Sequence, residues 1–194
     1  MQNRKQLWLL AGGNGAGKST FYRLFLQDKG LGFINADLIA KQIAPENPES
    51  NSYKAAAIAA KLRYSMIQKG VSFCFETVFS HPSKIDFVAE AKSLGYEIIL
   101  IYIHLISTEL NLARVSQRVH EGGHNVPEEK VIKRMPRTMV NIHNVLPLVD
   151  TAKFYDNSSK NNPFVSIAQL NRGKLDIQNQ PLPNWAKEIL GNYL

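Results

Sequence analysis

The chain has 194 residues, which is enough for one α/β domain with a full hydrophobic core and short for two. Its apolar share of 44% and charged share of 20% are ordinary for a soluble globular protein, and no apolar run is long enough to span a membrane. The net charge of +7 raises the question of nucleic acid, but the basic residues are dispersed and no nucleic-acid-binding module is recognisable, which disfavours that partner.

The first residues of the chain lead directly into an apolar stretch, and no signal peptide is apparent. The single cysteine, Cys74, lies within an apolar run, where a small core residue is expected rather than a nucleophile or a metal ligand. Together these features predict a cytoplasmic protein without membrane association.

Strand and helix patterns alternate along most of the chain. Strands are predicted at residues 6–11, 33–35, 71–75, 97–104 and 152–155, and a hairpin at 164–170 and 174–177. Helices are predicted at residues 19–27, 36–40, 50 or 52 to 68, 81–94, 107–121, 127–146 and 183–192. Pro136 is expected to kink or split the sixth helix. The alternation predicts one three-layer α/β domain around a mainly parallel five-stranded sheet, with a small hairpin and helix at about 163–194.

A glycine-rich stretch lies between the first predicted strand and the first predicted helix. It matches the G-x-x-x-x-G-K-[ST] pattern of phosphate-binding loops with Gly12, Gly13, Asn14, Gly15, Ala16, Gly17, Lys18, Ser19 and Thr20. Successive backbone N–H groups of such a loop point into one concavity above a helix N-terminus. Lys18 would reach the β- and γ-phosphates, and Ser19 would bind Mg²⁺. A chance glycine-rich turn is the alternative, but the strand–loop–helix context predicts nucleoside triphosphate binding.

Polar residues follow several strands at the edge where parallel α/β proteins bind ligands. Asp37 could accept a proton from a hydroxyl that attacks the γ-phosphate, or could only cap the helix that follows. Glu76, followed by Thr77, needs Mg²⁺, an arginine or a substrate hydroxyl as partner, or forms a salt bridge at the sheet edge. The fourth strand ends in His104 rather than in the Walker B aspartate, so Mg²⁺ would rely on Ser19, phosphates, water and either Asp37 or Glu76.

Two pairs of arginines lie in consecutive predicted helices. Arg114 and Arg118 share one helical face, and Arg134 and Arg137 follow in the next helical segment. The two helices, joined by a Gly-Gly pair, could fold over the phosphates as a lid at about residues 107–146. An arginine there would neutralise charge that develops on the transferred phosphoryl group. A solvated basic face is the alternative.

At these residues the sequence resembles the zeta toxin family of P-loop kinase-like proteins. The similarity extends over residues 7–158. It rests on the glycine-rich loop, on residues 33–37 and 75–77, and on the blocks within 118–127 and 134–137. The last block looks like the shorter chromosomal branch that is often labelled predicted ABC-type ATPase, although no signature of an ABC transporter ATPase follows.

The resemblance implies a nucleotide-kinase-like fold and ATP-dependent phosphorylation of a sugar hydroxyl on a UDP-amino sugar, UDP-N-acetylglucosamine. It also implies an antitoxin as a protein partner. Asp37 matches the proposed general base, and Lys18 and Ser19 match the phosphate-loop positions. Arg118 and Arg134 match the two arginines that grip the phosphates.

The resemblance also implies contacts with the phosphoryl acceptor, for which the expected residues are Asp37, Glu76, Thr77, Arg114 and Arg137. Besides the glycine-rich loop, Arg118 and Asn157 are expected to contact ATP. The chain is shorter than the plasmid-borne toxins and lacks their C-terminal substrate-binding segments, which leaves the sugar-nucleotide acceptor and toxicity open. Two other functions stay open: a P-loop kinase for a nucleoside, nucleotide or polynucleotide hydroxyl, and a nucleotide-dependent switch with slow ATPase activity.

Overall fold

The computed structural model describes residues 4–121 and 125–194, so the predicted Gly-Gly-His joint at 122–124 lies outside the described residues. The strands in the described parts are β1 (Gln6–Gly12), β2 (Gly32–Ile34), β3 (Phe73–Thr77), β4 (Glu97–His104), β5 (Thr151–Asp156), β6 (Val165–Asn171) and β7 (Lys174–Ile177). They form one sheet in the order β2-β3-β1-β4-β5-β6-β7, in which β1 to β5 run parallel.

The C-terminal hairpin is part of this sheet. β6 pairs antiparallel with β5, and β7 pairs antiparallel with β6. The sequence predicted five strands with the hairpin beside them, and that count was wrong because β6 pairs with the free side of β5 and adds both hairpin strands to the sheet. Ala168 and Leu170 are buried opposite Phe154 and Ala152, so the hairpin also extends the core.

The helices are α1 (Lys18–Phe21), α2 (Ala36–Ile43), α3 (Ser52–Gln68), α4 (Ser83–Ser93), α5 (Thr108–His120), α6 (Glu128–Val145) and α7 (Asn184–Leu190). α1 continues into a wider π-type turn at Tyr22–Leu26. α6 runs continuously across Pro136, so of the two outcomes predicted there, a kink or a split, the split is absent. The buried Thr138 hydroxyl lies 2.9 Å from the carbonyl oxygens of both Arg134 and Val78, which holds this part of α6 against the loop after β3.

Apolar side chains pack on both faces of the sheet. Leu7 and Leu9 of β1 belong to a large cluster that includes side chains of α3, α4, α6 and α7, whereas Leu10 belongs to a smaller cluster with Phe21. Cys74 is fully buried in the smaller cluster, and burial raises the pKa of its thiol, as expected for a core residue. Helices therefore cover both sides of the mainly parallel sheet, which confirms the predicted three-layer α/β architecture.

The position of β1 places the glycine-rich loop. β1 lies between β3 and β4, so the loop that follows it emerges at the centre of the edge formed by the carboxyl ends of the parallel strands. This is the edge at which open parallel sheets bind ligands. None of the described helices is long and apolar enough to cross a membrane.

Asp150 links three elements at the amino ends of the parallel strands, on the side of the sheet opposite the glycine-rich loop. Its carboxylate accepts a hydrogen bond from the Ile98 N–H at 2.8 Å and pairs with the Lys92 ammonium at 2.5 Å. Partial burial raises the pKa of Asp150, but the Ile98 hydrogen bond and Lys92 outweigh burial and bring this pKa below its usual value. A lowered carboxyl pKa means that the interaction stabilises the fold above pH 4 and is lost as the pH falls through the folded-state pKa.

We therefore expect Asp150→Asn to lower the free energy of unfolding at pH 7, and this deficit to shrink progressively below about pH 4. Urea unfolding measured between pH 7 and pH 2 checks this. Asp28→Asn, at an exposed aspartate, is the control and should change stability little at any pH. A deficit of the same size at pH 7 and pH 2 would contradict the role assigned to the ionised carboxylate.

Candidate active site

Two cavities adjoin the glycine-rich loop. The first, here called the α3 cavity, has a volume of about 450 Å³ and is bounded by α2, α3, the loop after β3 and the start of α6. The second, here called the α5 cavity, has a volume of about 410 Å³ and is bounded by α1, α5 and the segment after β5. Gly15, Lys18, Glu76 and Arg118 line both, so the two cavities meet at the loop.

Lys18 is the buried centre of this junction. It is only 7% exposed, and its ammonium donates hydrogen bonds to the carbonyl oxygens of Gly12 at 3.0 Å and Gly13 at 2.9 Å. The nearest carboxylate oxygen, Oε1 of Glu76, lies 3.8 Å away. The two loop carbonyls therefore hold the ammonium at the junction of the cavities.

The charged residues predicted from the sequence surround Lys18. Burial lowers the pKa of Lys18 below its usual value, whereas the carboxylates of Glu76 and Asp37 raise it. Arg118 and Arg134 lower the pKa of Lys18 further because they are like charges nearby. The fold therefore brings two carboxylates and two guanidinium groups from four separate elements within electrostatic reach of one ammonium.

Glu76 forms a small hydrogen-bonded network at the end of β3. Its Oε2 accepts hydrogen bonds from the Ser19 hydroxyl at 2.7 Å and from the Asn35 amide at 2.8 Å. A salt bridge at the sheet edge does not fully describe Glu76. Its closest contacts are hydrogen bonds from two neutral side chains, and the Lys18 ammonium is further away at 3.8 Å. The network places a carboxylate directly beside the hydroxyl of the phosphate-binding loop.

Asp37 is not the N-cap of α2. That role belongs to Asn35, whose side-chain oxygen accepts hydrogen bonds from the N–H groups of Asp37 at 2.8 Å and Leu38 at 3.1 Å. The alternative that Asp37 only caps the helix is therefore wrong. Its carboxylate is exposed and lines the α3 cavity. Asn35 was missed in the sequence, although an asparagine directly before a helix is a standard capping signal.

The four arginines predicted as site residues differ in whether they line a cavity. Arg118 lines both cavities, Arg134 lines the α3 cavity and Arg114 lines the α5 cavity, where its guanidinium donates to the Ser158 carbonyl at 3.3 Å. These three are half-buried, which is not the arrangement of a solvated basic face. Arg137 is exposed and is not among the residues that line either cavity, so nothing in this geometry supports its predicted contact with the acceptor.

Two buried asparagines hold the loop from behind. The Asn157 amide donates to the Ala16 carbonyl at 2.9 Å, and its oxygen accepts from the Phe164 N–H at 3.3 Å. The Asn111 amide on α5 donates to the Asn14 carbonyl at 2.5 Å. Asn157 lines the α5 cavity as well, but its hydrogen bonds show a loop-positioning role that the sequence did not predict. Asn111 was missed altogether, because nothing in the sequence shows that it is fully buried.

His104, at the position of the Walker B aspartate, is a core residue. The Tyr102 hydroxyl lies 2.9 Å from its Nδ1, and its ring stacks on Trp185 at a centroid distance of 4.6 Å. Burial lowers the pKa of His104 to about 4, although Asp156 acts in the opposite direction. His104 is therefore neutral at physiological pH. The carboxylate that accepts a hydrogen bond from the Ser19 hydroxyl comes instead from Glu76 on β3, on the other side of β1.

Other polar residues line the α3 cavity besides those predicted. Thr77 lines it as expected, and its hydroxyl accepts a hydrogen bond from the Phe79 N–H at 3.0 Å. Arg63 and Lys84 also line it and were not considered from the sequence. A signal for Arg63 was present, since it follows Ala59 by four residues on the buried face of a helix, where an apolar residue would be expected.

Comparison with known sequences identifies the family. A sequence model of the family described as Zeta toxin matches residues 1–165. An uncharacterized protein of Haemophilus influenzae is 38% identical over 135 residues, which represent 66% of this chain and 96% of that protein.

Solved structures share the fold. A chain of the AvrRxo1-ORF1:AvrRxo1-ORF2 complex with sulphate ions superposes with a TM-score of 0.75 at 18% identity, covering 97% of this chain and 65% of that one. The same complex with ATP gives a TM-score of 0.68 at 17% identity, with the same coverage. A chain of the PezAT chromosomal toxin–antitoxin system of Streptococcus pneumoniae gives 0.64 at 14% identity, covering 97% of this chain and 79% of that one. This chain therefore spans about two thirds of the AvrRxo1 chain.

The family match and the candidate site coincide along the chain. Every residue that lines the α3 and α5 cavities lies within residues 1–165, whereas most of β6, all of β7 and α7 lie beyond them. The part of the chain that is related in sequence is thus the part that builds the two cavities and the loop between them. The protein belongs to the Zeta toxin family and has a P-loop kinase-like α/β fold.

Proposed function

We propose that the protein is an ATP-dependent kinase that transfers the γ-phosphoryl group to a hydroxyl of a small-molecule acceptor. The observation that carries this proposal is the meeting of two separate cavities at the phosphate-binding loop, where Lys18 of the loop and Arg118 of α5 line both. A phosphoryl transferase needs a donor and an acceptor on opposite sides of the transferred group. A nucleotide-dependent switch needs only one of these cavities.

In this proposal the α5 cavity holds the nucleoside part of ATP. The aromatic ring of Phe164 and the guanidinium of Arg114, which both line this cavity, are groups that can contact a nucleoside. The triphosphate then lies along the loop, where Lys18 can exchange its two carbonyl acceptors for phosphate oxygens. The choice of ATP is supported by the family and by the related AvrRxo1 complex that was solved with ATP.

Ser19 and Glu76 are the proposed metal-side residues. A hydroxyl and a carboxylate 2.7 Å apart are the hard oxygen donors that suit Mg²⁺, which usually keeps several water ligands and binds substrate phosphates. Ser19 would contact the ion, and Glu76 would hold Ser19 and accept hydrogen bonds from the metal-bound water. Bound Mg²⁺ would offset charge on the phosphates. Asn35 keeps the Glu76 carboxylate oriented toward Ser19.

The α3 cavity is the proposed acceptor side. Asp37 is the proposed general base because its carboxylate lines this cavity and is not used to cap α2. Arg118 and Arg134 would neutralise the charge that develops on the transferred group. A UDP-amino sugar such as UDP-N-acetylglucosamine is the proposed acceptor, supported by family membership, and an antitoxin is the proposed protein partner, supported by the PezAT relative.

We expect Asp37→Asn to lower acceptor-dependent ATP consumption about 10²- to 10⁴-fold, the range for loss of a general base, without weakening nucleotide binding. Asparagine keeps the size of the side chain and leaves the Asn35 cap intact. Asp86→Asn is the matched control, because Asp86 is also an exposed aspartate in the first turn of a helix but lines neither cavity.

The measurement is ATP consumption by purified protein with and without UDP-N-acetylglucosamine. If the sugar nucleotide stimulates consumption in the wild type and in Asp37→Asn equally, the assignment of the base is wrong. If no hydroxyl compound stimulates the wild type, the kinase proposal gives way to the nucleotide-dependent switch.

We expect Glu76→Gln to raise the Mg²⁺ concentration needed for half-maximal turnover by roughly 10- to 100-fold, as for loss of a residue that orients a metal ligand. Glutamine can still accept the hydrogen bonds from Ser19 and Asn35, so folding should be preserved. Mg²⁺ titrations of ATP consumption check this, with Glu188→Gln on the surface of α7 as control. An unchanged Mg²⁺ dependence would remove Glu76 from the metal side.

A third test concerns the loop backbone at Gly17, whose φ is +94°. A Cβ there would lie 2.5 Å from the Asn157 amide nitrogen and 3.4 Å from the Phe164 ring. Gly30 is a matched control, since its φ is +66° but a Cβ would meet nothing within 4 Å. Gly30→Ala should cost about 1–2 kcal/mol of stability from backbone strain alone and keep nucleotide affinity.

Gly17→Ala should weaken binding of a fluorescent ATP analogue at least tenfold, because the methyl group displaces the amide that positions the loop. Titration of both variants with the analogue checks this. Equal affinities for the two variants would mean that the loop is not held by Asn157 in the way described.

A further inference from the structure

Arg63 occupies an unusual position for a cation. It lies on the buried face of α3, in a row formed by Ala55, Ala59, Arg63 and Ile67. It is 7% exposed, and its guanidinium packs over the rings of Phe75 at 4.9 Å and Phe87 at 5.4 Å. The same residue lines the α3 cavity. A guanidinium on the buried face of a helix, against aromatic rings and beside a cavity, is an arrangement that needs a physical reason.

Arg63 forms no ion pair within the described part of the chain. Its Nε is buried without a hydrogen-bond partner, and none of the ion pairs in residues 4–121 and 125–194 involves it. The charged side chain beside it is Lys84, another cation that lines the same cavity. Burial and the proximity of Arg63 both lower the pKa of Lys84. Burying unpaired cations is unfavourable, so an anion is expected to complete this pair.

The carboxylates of the α3 cavity are engaged elsewhere. Glu76 binds Ser19 and Asn35, and Glu49 accepts a hydrogen bond from the Asn125 N–H at 2.8 Å. Asp37 is exposed and acts on the charge of Lys18. None of these three carboxylates forms an ion pair with Arg63 or Lys84 among the described residues. The anion must therefore come with a ligand.

Arg63 and Lys84 are also separate from the cations of the phosphate-binding loop. The charges that act on Lys18 are those of Glu76, Asp37, Arg118 and Arg134, and they include neither Arg63 nor Lys84. The α3 cavity thus contains two groups of cations. The group at the loop suits the transferred phosphoryl group, and the group between α3 and α4 suits a second anion on the same ligand.

We propose that Arg63 and Lys84 form a subsite for a phosphate group that the acceptor already carries, so that the enzyme selects phosphorylated acceptors over neutral ones. A guanidinium fork beside an ammonium is the pairing that proteins use for phosphate recognition. This inference rests on the proposed function in one respect, namely that the α3 cavity takes the acceptor. The subsite itself can be tested without turnover.

The test uses four proteins: wild type, Arg63→Met, Lys84→Met and Lys61→Met. Methionine keeps an unbranched apolar side chain, and Lys61 is an exposed lysine on α3 that lines neither cavity, so Lys61→Met removes one charge outside the subsite. Each protein is saturated with Mg²⁺ and a non-hydrolysable ATP analogue to fill the loop. Inorganic phosphate is then titrated by calorimetry, with acetate as a comparison anion.

We expect saturable phosphate binding in wild type and Lys61→Met, and an affinity lower by about 10- to 100-fold in Arg63→Met and Lys84→Met, as for loss of one charge-assisted hydrogen bond. Acetate should bind more weakly than phosphate. Absence of phosphate binding in the wild type, or equal affinity in all four proteins, would overturn the subsite.

Thermal unfolding separates this role from a structural one. Removal of a buried cation that has no ion pair among the described residues should leave the unfolding midpoint of ligand-free Arg63→Met unchanged or raised. A lowered midpoint with unchanged phosphate affinity would assign Arg63 to packing alone. Lys84→Met, at a half-buried position, gives an independent measurement with less risk to the core.

ATP consumption with UDP-N-acetylglucosamine and with N-acetylglucosamine distinguishes failure of the subsite from failure of the kinase proposal. We expect the variants to raise the KM for the sugar nucleotide while kcat changes little, because the subsite binds ground state and transition state alike. Wild-type KM values in both variants would overturn the subsite. If no acceptor stimulates turnover but phosphate titration still separates the variants, the subsite stands and the kinase proposal falls.

Discussion

The burial of one ammonium group, that of Lys18, determines how the site is organised. A buried lysine is stable only when acceptors surround it, and here they are two loop carbonyls and, further away, Glu76. These acceptors depend on two strands, since both carbonyls lie at the end of β1 and in the loop that follows it, whereas Glu76 lies near the end of β3. The parallel order of the sheet is therefore a requirement of the site, because it brings these strand ends together around the ammonium.

Part of the net positive charge of the chain is concentrated around the glycine-rich loop and the α3 cavity. Arg118 and Arg134 act on the charge of Lys18 at the junction of the cavities, and Arg63 and Lys84 form a second cationic group in the α3 cavity. These residues are far apart in sequence, which is why no basic block is visible along the chain. A net charge of +7 that is partly gathered around internal cavities is consistent with small phosphorylated ligands.

Features that depend on short segments of the sequence were predicted correctly, whereas features that depend on contacts between distant segments were not. The spacing from Gly12 to Ser19 and the polar residues after the strands could be predicted because short segments fix them. The addition of the hairpin to the sheet could not, because strand patterns do not reveal which edge a hairpin joins. Arg137 was grouped with Arg134 because the two lie in one helical segment, but spacing does not show which face of α6 meets the cavity. The capping role of Asn35 was visible and overlooked.

The hydrogen bonds from Asn111 and Asn157 to the glycine-rich loop restrain one part of the site more than the other. Asn111 and Asn157 hold the loop through its backbone carbonyls, so the shape of the loop beside the α5 cavity is restrained. Many of the residues that line the α3 cavity belong instead to α2, α3, α4, α6 and the loop after β3, which these two asparagines do not hold. If the α3 cavity binds the phosphoryl acceptor, as proposed, substitutions in these elements would change the acceptor while the loop keeps its shape. Under that proposal, proteins with the same glycine-rich loop could differ in the acceptor that they bind through a few substitutions on the helices around the α3 cavity.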